Sequence, residues 1–282
     1  MYPINNIIER HFGREPSQIV KLTGGDINEV YQVFFQEKSV VVKMNNSLSL
    51  PQLFEKEKKG LELLSKSTFV VPNPIKTGSI DDTQFLIMDY IEQGTTLNWG
   101  IFGHKLAQLH LIEGKYFGLD HDNYIGSLEQ VNQEYEEWSE FYTNNRLLAL
   151  TAKARDQKLF EKKHCIWVEK LCQRLDELIP ACRPSLIHGD LWSGNLLIHT
   201  SGHPGLIDPA VYYGHPEMDW AMLSLFGSYP EEALDHYQSL NPLEKGLNER
   251  IDIHQLYPLL VHLILFGISY LGGIESALKK YA

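Results

Sequence analysis

Cysteine is scarce in this sequence, with three among 282 residues, at Cys165, Cys172 and Cys182. They form no CxxC pair and their number is odd, so neither a disulfide framework nor a cysteine-based zinc site is indicated. The N-terminal residues also lack the basic start and apolar core of a secretory signal. We therefore expect a reducing, cytoplasmic compartment.

Lysine and arginine are outnumbered, because 25 of them face 36 aspartates and glutamates, which gives a formal net charge of −11. No basic cluster offsets this charge, so neither nucleic acid nor an anionic membrane surface is an expected partner. Residues 253–274 lack Asp, Glu, Lys and Arg and are long enough to cross a bilayer. Pro258, two histidines, two tyrosines and three glycines in that segment instead indicate a buried core helix.

The familiar nucleotide-binding motifs are missing, since the sequence contains neither G-x-G-x-x-G nor a Walker motif. Their absence argues against Rossmann and P-loop folds. The sequence does contain LIHGDLWSGNLLI at 186–198, followed by LIDPA from residue 206. This pattern sets Asp190 and Asn195 five positions apart in a loop between apolar strands and adds Asp208 among apolar residues.

Phosphoryl transfer requires such a set of polar groups. One carboxylate must lie beside the attacking hydroxyl, while an amide oxygen and a second carboxylate hold Mg²⁺ against the nucleotide phosphates. Taken singly, Asp190, Asn195 and Asp208 could be ordinary turn residues. Their joint spacing, with the HGD triplet, favours a phosphotransferase.

The periodicity of apolar residues divides the chain in two. The first part predicts a small sheet with one helix: strands at 19–22, 29–35, 39–44, 75–79 and 85–90, and a helix at 52–66. The second part predicts mainly helices, at 101–112, 134–153, 158–179, 216–226 and 253–281, with short strands and loops within 187–207. A polar piece at 92–94 marks the join, so we expect an α+β protein with lobes at 1–91 and 92–282.

A buried ion pair is predicted in the first lobe. Lys43 ends an apolar strand, and the following helix offers Glu55 and Glu57 as partners. Helical spacing places Glu57 on the apolar stripe of that helix and turns Glu55 away from it. Because a carboxylate on an apolar stripe needs a buried cation, Glu57 is the predicted partner of Lys43.

Gly24 and Gly25 separate the first two predicted strands. They suit a turn whose backbone N–H groups approach a phosphate, although a tight hairpin explains paired glycines equally well. The order of elements is strand, Gly-Gly turn, strand, strand with Lys43, helix with Glu57, hinge and helical lobe. This is the order of the protein-kinase-like fold.

With these residues the chain resembles the fructosamine kinase (ketosamine 3-kinase) family, whose kinase-like fold is shared with aminoglycoside phosphotransferases and choline kinases. The resemblance is carried by HGDLWSGN at 188–195, IDPA at 207–210, YG at 213–214 and EMDWAM at 217–222. It extends over almost the whole chain through TGGDIN at 23–28, LAQLH at 106–110, residues 117–141, His262, Phe266-Gly267 and Tyr270. Two departures are His215-Pro216, where the family often has Asp-Arg, and Asp89, where Glu is commoner.

The resemblance implies ATP and Mg²⁺ as cofactors, Asp190 as the base that accepts the proton of a sugar hydroxyl, and Asn195 and Asp208 as metal ligands. It implies that Lys43 steadies the phosphates, and that backbone groups of the hinge residues Met88, Asp89 and Tyr90 contact adenine.

Further residues receive supporting roles. We expect Asp219 to brace the catalytic loop through backbone N–H groups, or alternatively to be a helix-start carboxylate favoured by the helix dipole. His188 is expected to hold the loop by hydrogen bonds. Trp192, Phe117 and Trp138 could stack on the sugar or on a lysine stem, or belong to the core.

The expected activity is phosphorylation of the 3-hydroxyl of a ketosamine, free or protein-bound, which leads to loss of the sugar from the amine. One alternative is another small-molecule kinase of the same fold, of the aminoglycoside or choline type. The other is a non-catalytic nucleotide-binding protein. The sequence leaves the oligomeric state open.

Overall fold

The structure, a computed structural model, describes residues 3–22, 27–36 and 38–281. The strands in chain order are β1 (Gln18–Lys21), β2 (Glu29–Phe34), β3 (Ser39–Asn46), β4 (Pro74–Ile80), β5 (Thr83–Asp89), β6 (Asn123–Ile125), β7 (Leu128–Gln130), β8 (Ser185–Ile187), β9 (Leu196–Ile198), β10 (Pro204–Leu206) and β11 (Tyr212–Gly214). The helices are α1 (Pro3–Phe12), α2 (Leu53–Leu64), α3 (Trp99–His110), α4 (Trp138–Phe141), α5 (Ala149–Asp156), α6 (Lys162–Cys172), α7 (Leu175–Leu178), α8 (Glu217–Leu225), α9 (Glu231–Gln238), α10 (Leu247–Phe266) and α11 (Leu271–Lys279). The predicted α+β class is confirmed.

Two compact units divide the chain. The first comprises Met1–Leu97 and Gly194–Pro209, and the second comprises Asn98–Ser193 and Ala210–Ala282. The boundary expected from the sequence lay at 91/92 and assigned all later residues to the second lobe. The observed division differs because the β9–β10 hairpin is bonded to the first unit: the N–H of Val70 donates to Pro204 O at 3.1 Å, and that of Gly94 donates to Ile198 O at 2.7 Å.

The sheet of the first unit is antiparallel with strand order β1-β2-β3-β5-β4. Its strands lie within two residues of the predicted ones, as their β-branched and aromatic content implies. Side chains alternate between the two faces of a strand, so Val40, Val42 and Met44 of β3 face one side. There they form a core with Ile4, Ile7 and Ile8 of α1, a helix that the sequence analysis did not predict.

The same alternation turns Lys43 to the opposite face of β3, where α2 packs against β4 and β5. Phe54, Leu61 and Leu64, which form the apolar stripe of α2, are fully buried. The strand and the helix therefore bring a lysine and a glutamate-bearing apolar stripe to the same side of the sheet.

The second unit is mainly helical. Its α3 packs against α9, and α10 packs against α5, α8 and α11. The predicted helix at 134–153 is interrupted by a π-helical stretch at Tyr142–Leu148. The predicted helix at 253–281 is divided at Gly267, whose φ of 92° is in the left-handed region. The prediction missed α9, β6, β7 and β11, and it took α6 and α7 as one helix.

Two short strands of the second unit carry the most informative loop of the sequence. β8 pairs antiparallel with β11, and the loop at 188–193 follows β8 directly. In the described part of the chain, no helix has the length and apolar character that crossing a bilayer would require. Segment 253–274 belongs to α10 and the elements after it, with Pro258 inside α10.

Candidate active site

The ammonium of Lys43 is bonded to the carboxylate of Glu57, with Nζ and Oε1 2.6 Å apart. The side chains are 3% and 9% exposed, so the pair is shielded from water. The predicted pairing of Lys43 with Glu57 is thus confirmed. Its geometry follows from the alternation along β3 and the apolar stripe of α2, as the sequence pattern indicated.

Asp208 is the second carboxylate on Lys43, through an ion pair between Oδ1 and Nζ. Burial opposes the charged form of Lys43, but Asp208 and Glu57 outweigh it and raise the pKa of the lysine above its ordinary value. Two carboxyl groups then share one ammonium, and burial raises the pKa of Glu57 although the Lys43 charge opposes this rise. The more exposed of the two carboxyl groups is the one that an incoming cation can reach.

That open carboxylate belongs to Asp208, whose side chain is 41% exposed. Its backbone φ of 53° lies in the left-handed region, which few residues other than glycine adopt but which aspartate tolerates. Such conformations persist where the surrounding structure holds them in place, and they cluster at functional sites.

Asn195 lies at the same end of the β9–β10 ladder as Asp208. Leu196 pairs with Leu206, and Asn195 O accepts from the N–H of Ile207 at 3.1 Å. Mg²⁺ prefers hard oxygen ligands and retains waters, so one carboxylate and one amide oxygen are a sufficient protein contribution beside phosphate oxygens. The donor set at Asn195 and Asp208 therefore fits this ion.

In the second unit, Asp219 braces the loop that follows β8. Its carboxylate accepts from the N–H groups of His188 at 2.8 Å and Gly189 at 3.0 Å. The Nε2 atom of His110 lies 3.2 Å from the same carboxylate, and Nδ1 of that histidine lies 2.8 Å from the hydroxyl of Tyr237. The expected bracing role is confirmed; Asp219 also lies in the first turn of α8, the position that the alternative required.

His188 is buried and holds the loop by hydrogen bonds, as expected. Its Nδ1 accepts from the N–H of Asp190 at 3.3 Å, and its carbonyl accepts from the N–H of Ala210 at 3.0 Å. Gly189 has a φ of 79°, and a Cβ on it would lie 2.1 Å from the carbonyl oxygen of Ala210. Only glycine fits at position 189. The next residue, Asp190, is half-buried.

The remaining predicted residues are placed as follows. Gly24 and Gly25 lie outside the described residues. Met88 is buried at the end of β5, whereas Asp89 and Tyr90 are half-buried, and their contact with adenine stays a prediction. Trp192 is half-buried, with its ring 6.4 Å from that of Phe226.

Phe117 and Trp138 lie in the aromatic core of the second unit. Both are buried, and their ring centroids are 5.5 Å apart. Trp138 also stacks on Tyr142 at 5.0 Å. This placement fits the core alternative that the sequence analysis left open for these two rings.

A buried polar cluster that the sequence analysis did not find contains His215, Glu217 and His254, whose possible ligand atoms lie within 4.8 Å of one another. Protein groups already occupy Glu217, which accepts from Nε of Arg250 at 2.9 Å and lies 3.1 Å from Nε2 of His254. Burial lowers the pKa of His215 to about 3, so this histidine is neutral near neutral pH. The cluster is built as an ion-pair network rather than as a metal centre. Its signals in the sequence were the His215-Pro216 departure and Glu217 of the EMDWAM motif.

Phosphotransferases of the protein-kinase-like fold use a strand lysine paired with a helix glutamate, beside a metal-binding aspartate. The first unit brings Lys43 of its five-stranded sheet into contact with Glu57 of α2 and with Asp208, and we therefore class the protein with the ATP-dependent phosphotransferases. The family model described as fructosamine kinase matches residues 1–282. The chain belongs to the fructosamine kinase family.

Named relatives and solved structures agree with this placement. A "probable ketoamine kinase" of Lactiplantibacillus plantarum is 36% identical, over 94% of each chain. The chloroplastic protein-ribulosamine 3-kinase of Arabidopsis thaliana is 34% identical, over 94% of this chain and 82% of the relative. The structure of a candidate fructosamine-3-kinase from Thermobifida fusca has a TM-score of 0.87 at 33% identity, covering 99% of this chain and 98% of the other.

A more distant structure shares the fold alone. Choline kinase LicA from Streptococcus pneumoniae has a TM-score of 0.67 at 20% identity, with 98% of each chain covered. The resemblance read from the sequence and the predicted protein-kinase-like fold are both confirmed by these matches.

Proposed function

We propose that this enzyme transfers the γ-phosphoryl group of ATP, with Mg²⁺, to the 3-hydroxyl of a ketosamine such as a fructosamine or ribulosamine adduct. The observation that carries the proposal is the ammonium of Lys43 held between Glu57 and Asp208. Membership of the fructosamine kinase family supports the sugar–amine acceptor. The relative named protein-ribulosamine 3-kinase supports the 3-position.

The proposed chemistry assigns one task to each polar group. Asp190 accepts the proton of the sugar hydroxyl as its oxygen attacks the γ-phosphorus, and ADP leaves with the electrons of the broken bond. Lys43, kept charged by its carboxylates, steadies the phosphates. Asn195 and Asp208 would hold Mg²⁺, which neutralises phosphate charge when it is bound.

The product has a consequence for the modified amine. A phosphate on carbon 3 stands next to the ketone at carbon 2. When carbon 1 loses a proton and the enaminol of carbons 1 and 2 forms, inorganic phosphate leaves carbon 3 with the electrons of the broken C–O bond. Water then hydrolyses the resulting imine at carbon 1, which releases the amine and leaves the sugar as a 3-deoxy dicarbonyl compound. We place this deglycation in the cytoplasm, in keeping with the low cysteine content.

Another small-molecule acceptor is the competing proposal, since aminoglycoside and choline kinases share the fold. The non-catalytic alternative is answered by family membership and by the presence of Lys43, Asp190 and Asp208 together. Acidic residues suit any cationic acceptor, so the net charge does not separate the candidates.

The experiment is a ³¹P NMR assay of ATP and Mg²⁺ with fructosyl-lysine and ribulosyl-lysine in parallel. We expect ADP and a new phosphomonoester whose phosphorus couples to the proton on carbon 3, and no such signal with Asp190→Asn. Aminoglycosides and choline complete the panel. Preferential turnover of one of these, or a phosphate on another sugar carbon, would overturn the proposal.

A further inference from the structure

Two side-chain amides hold consecutive backbone carbonyls immediately after Asp208-Pro209. Nε2 of Gln130 donates to Ala210 O at 3.0 Å, and Nδ2 of Asn123 donates to Val211 O at 2.8 Å. Both amides are buried in the second unit. The proposed function gives them no task, although both belong to the stretch that carries the family resemblance.

The orientation of each amide is fixed by its partners. Nη2 of Arg146 can only donate, and it bonds Asn132 Oδ1 at 2.7 Å. Nδ2 of Asn132 must then donate to Asn123 Oδ1, at 2.8 Å, and that oxygen also accepts from Nε2 of Gln130 at 2.7 Å. The hydroxyl of Tyr257 donates to Gln130 Oε1 at 2.5 Å and completes the set.

One path of bonds runs from Arg146 through Asn132 and Asn123 to Val211 O. The other runs from the hydroxyl of Tyr257 through Gln130 to Ala210 O, and Gln130 joins the two paths by donating to Asn123. The guanidinium of Arg146 lies 4.2 Å from the ring centre of Tyr212 and 5.0 Å from that of Tyr257, within cation–π range. Burial raises the pKa of Tyr257, so its hydroxyl stays protonated and can donate. Hydrogen bonds in such a chain polarise and strengthen one another.

Ala210 connects this network to the catalytic loop. Its carbonyl is held by Gln130, while its N–H donates to His188 O at 3.0 Å. The same carbonyl lies so close to Gly189 that an added Cβ would be 2.1 Å away. A displacement of Ala210 therefore moves His188 and Gly189, and with them Asp190.

We infer that Gln130 is a positioning residue for Asp190, acting through the peptide of Ala210. The inference rests on the proposed function, since it concerns the placement of the same base. Asp219 holds the N–H groups of His188 and Gly189. Gln130 fixes Ala210, whose N–H donates to the carbonyl of His188. The loop is therefore held through its N–H groups by Asp219 and through a carbonyl by Ala210.

The test compares Gln130→Met with Gln84→Met. Both substitutions remove a buried amide that donates two hydrogen bonds: Gln130 bonds one backbone carbonyl and the side chain of Asn123, and Gln84 bonds two backbone carbonyls. Nε2 of Gln84 donates to Leu50 O at 2.6 Å and Asn46 O at 3.2 Å, in the first unit and remote in sequence from the loop. We expect kcat of Gln130→Met to fall about 10- to 100-fold, as a displacement of about 1 Å at the reacting groups implies. The KM values should stay within about twofold, since Gln130 is buried and its amide bonds protein groups.

Two further readouts separate positioning from general stability. Activity is divided by the number of ADP-binding sites found by calorimetry, which removes unfolded protein from the comparison. Hydrogen exchange of peptides covering 186–192 and 210–214 should quicken in Gln130→Met and stay unchanged in Gln84→Met. Tyr257→Phe, which removes only the hydroxyl donor, should show the same changes more weakly, and it serves if Gln130→Met fails to fold.

The outcomes distinguish this inference from the proposed function. Unchanged exchange in both segments, or equal loss of kcat in Gln130→Met and Gln84→Met, overturns the positioning role of Gln130. A wild-type enzyme without ketosamine kinase activity overturns the proposed function instead, and the exchange comparison still decides whether Gln130 holds the loop.

Discussion

The ammonium of Lys43 lies 2.6 Å from a carboxylate oxygen of Glu57, and both side chains are almost wholly removed from water. An ion pair in such a place stabilises only if its geometry is good, and breaking it leaves an uncompensated charge. Here Asp208 is a second partner of the same ammonium, so the lysine stays charged.

Glu57→Gln should weaken the hold on the Lys43 ammonium. A hydrogen bond to a charged group contributes about 1.5–3 kcal/mol, so kcat/KM for ATP should fall roughly 10- to 100-fold. Steady-state kinetics with varied ATP measure this. Glu55→Gln is the matched control, since it makes the same change on the same helix at a residue with no ion pair among those described. It should leave kcat/KM unchanged. Equal effects of the two substitutions would show that α2 acts through its overall charge.

Asp190→Asn should lower kcat by about 10²–10⁴, because the amide cannot accept the proton of the hydroxyl. ADP binding and the melting temperature should be close to those of the wild type, since Asp190 is only half-buried. Calorimetry and thermal unfolding check the second part. Asp120→Asn, at a carboxylate 84% exposed, is the matched control. Turnover near the wild-type rate in Asp190→Asn would remove Asp190 from its role.

Asp219→Asn should cost both stability and turnover. The carboxylate accepts from two backbone N–H groups, and an amide can present its oxygen to only one of them. The other N–H is then buried without a partner, which costs about 1–3 kcal/mol. Urea unfolding measures the loss of stability. The fall in kcat should be larger than the decrease in the folded fraction alone would cause. Asp235→Asn on the exposed face of α9 should change neither quantity.

Gly189→Ala should be far more damaging than Gly13→Ala. Both glycines have positive φ, 79° and 61°, and an alanine there costs about 1–2 kcal/mol from backbone strain alone. A Cβ at Gly13 meets nothing within 4 Å, whereas one at Gly189 would collide with the carbonyl of Ala210. Thermal unfolding and kcat separate the two causes. Similar losses at both positions would mean that the loop can move aside.

Stability should decline in mild acid because of His215. Burial lowers its pKa to about 3, from an unfolded value near 6.5, so the unfolded state binds more protons below that value. The contribution of neutral His215 to the free energy of unfolding is complete above about pH 6.5. It is lost by up to about 1.4 kcal/mol per pH unit as the pH falls toward 3.

Urea unfolding of the wild type and His215→Gln between pH 7.5 and 4.5 measures this contribution, and the variant should show the flatter profile. Burial raises the pKa of Glu217, but hydrogen bonds from Arg250 and His254 outweigh it and bring it to about 2. Glu217 therefore reduces the free energy of unfolding further only when the pH falls below the ordinary pKa of a glutamate, near 4.5. Parallel profiles for the two proteins would contradict the neutral state of His215.

Local patterns account for most of what could be predicted. The strands of the first unit follow from runs such as Val40-Val41-Val42, and the choice of Glu57 over Glu55 follows from helical spacing. Helix α1 is also encoded locally, since Ile4, Ile7 and Ile8 have the i, i+3, i+4 spacing of an amphipathic helix. The interruption of the helix at 134–153 has no such local signal, because no Pro or Gly marks Tyr142–Leu148.

By itself, the sequence determined the fold class, the family and the lysine–glutamate pair, because periodicity and motif spacing act over a few residues. Tertiary structure alone decided that Gly194–Pro209 joins the first unit and that Gln130 meets Tyr257, 127 positions away. Such contacts depend on how strands and helices pack. No local period encodes them, because a buried amide finds its partner only when the elements around it have come together.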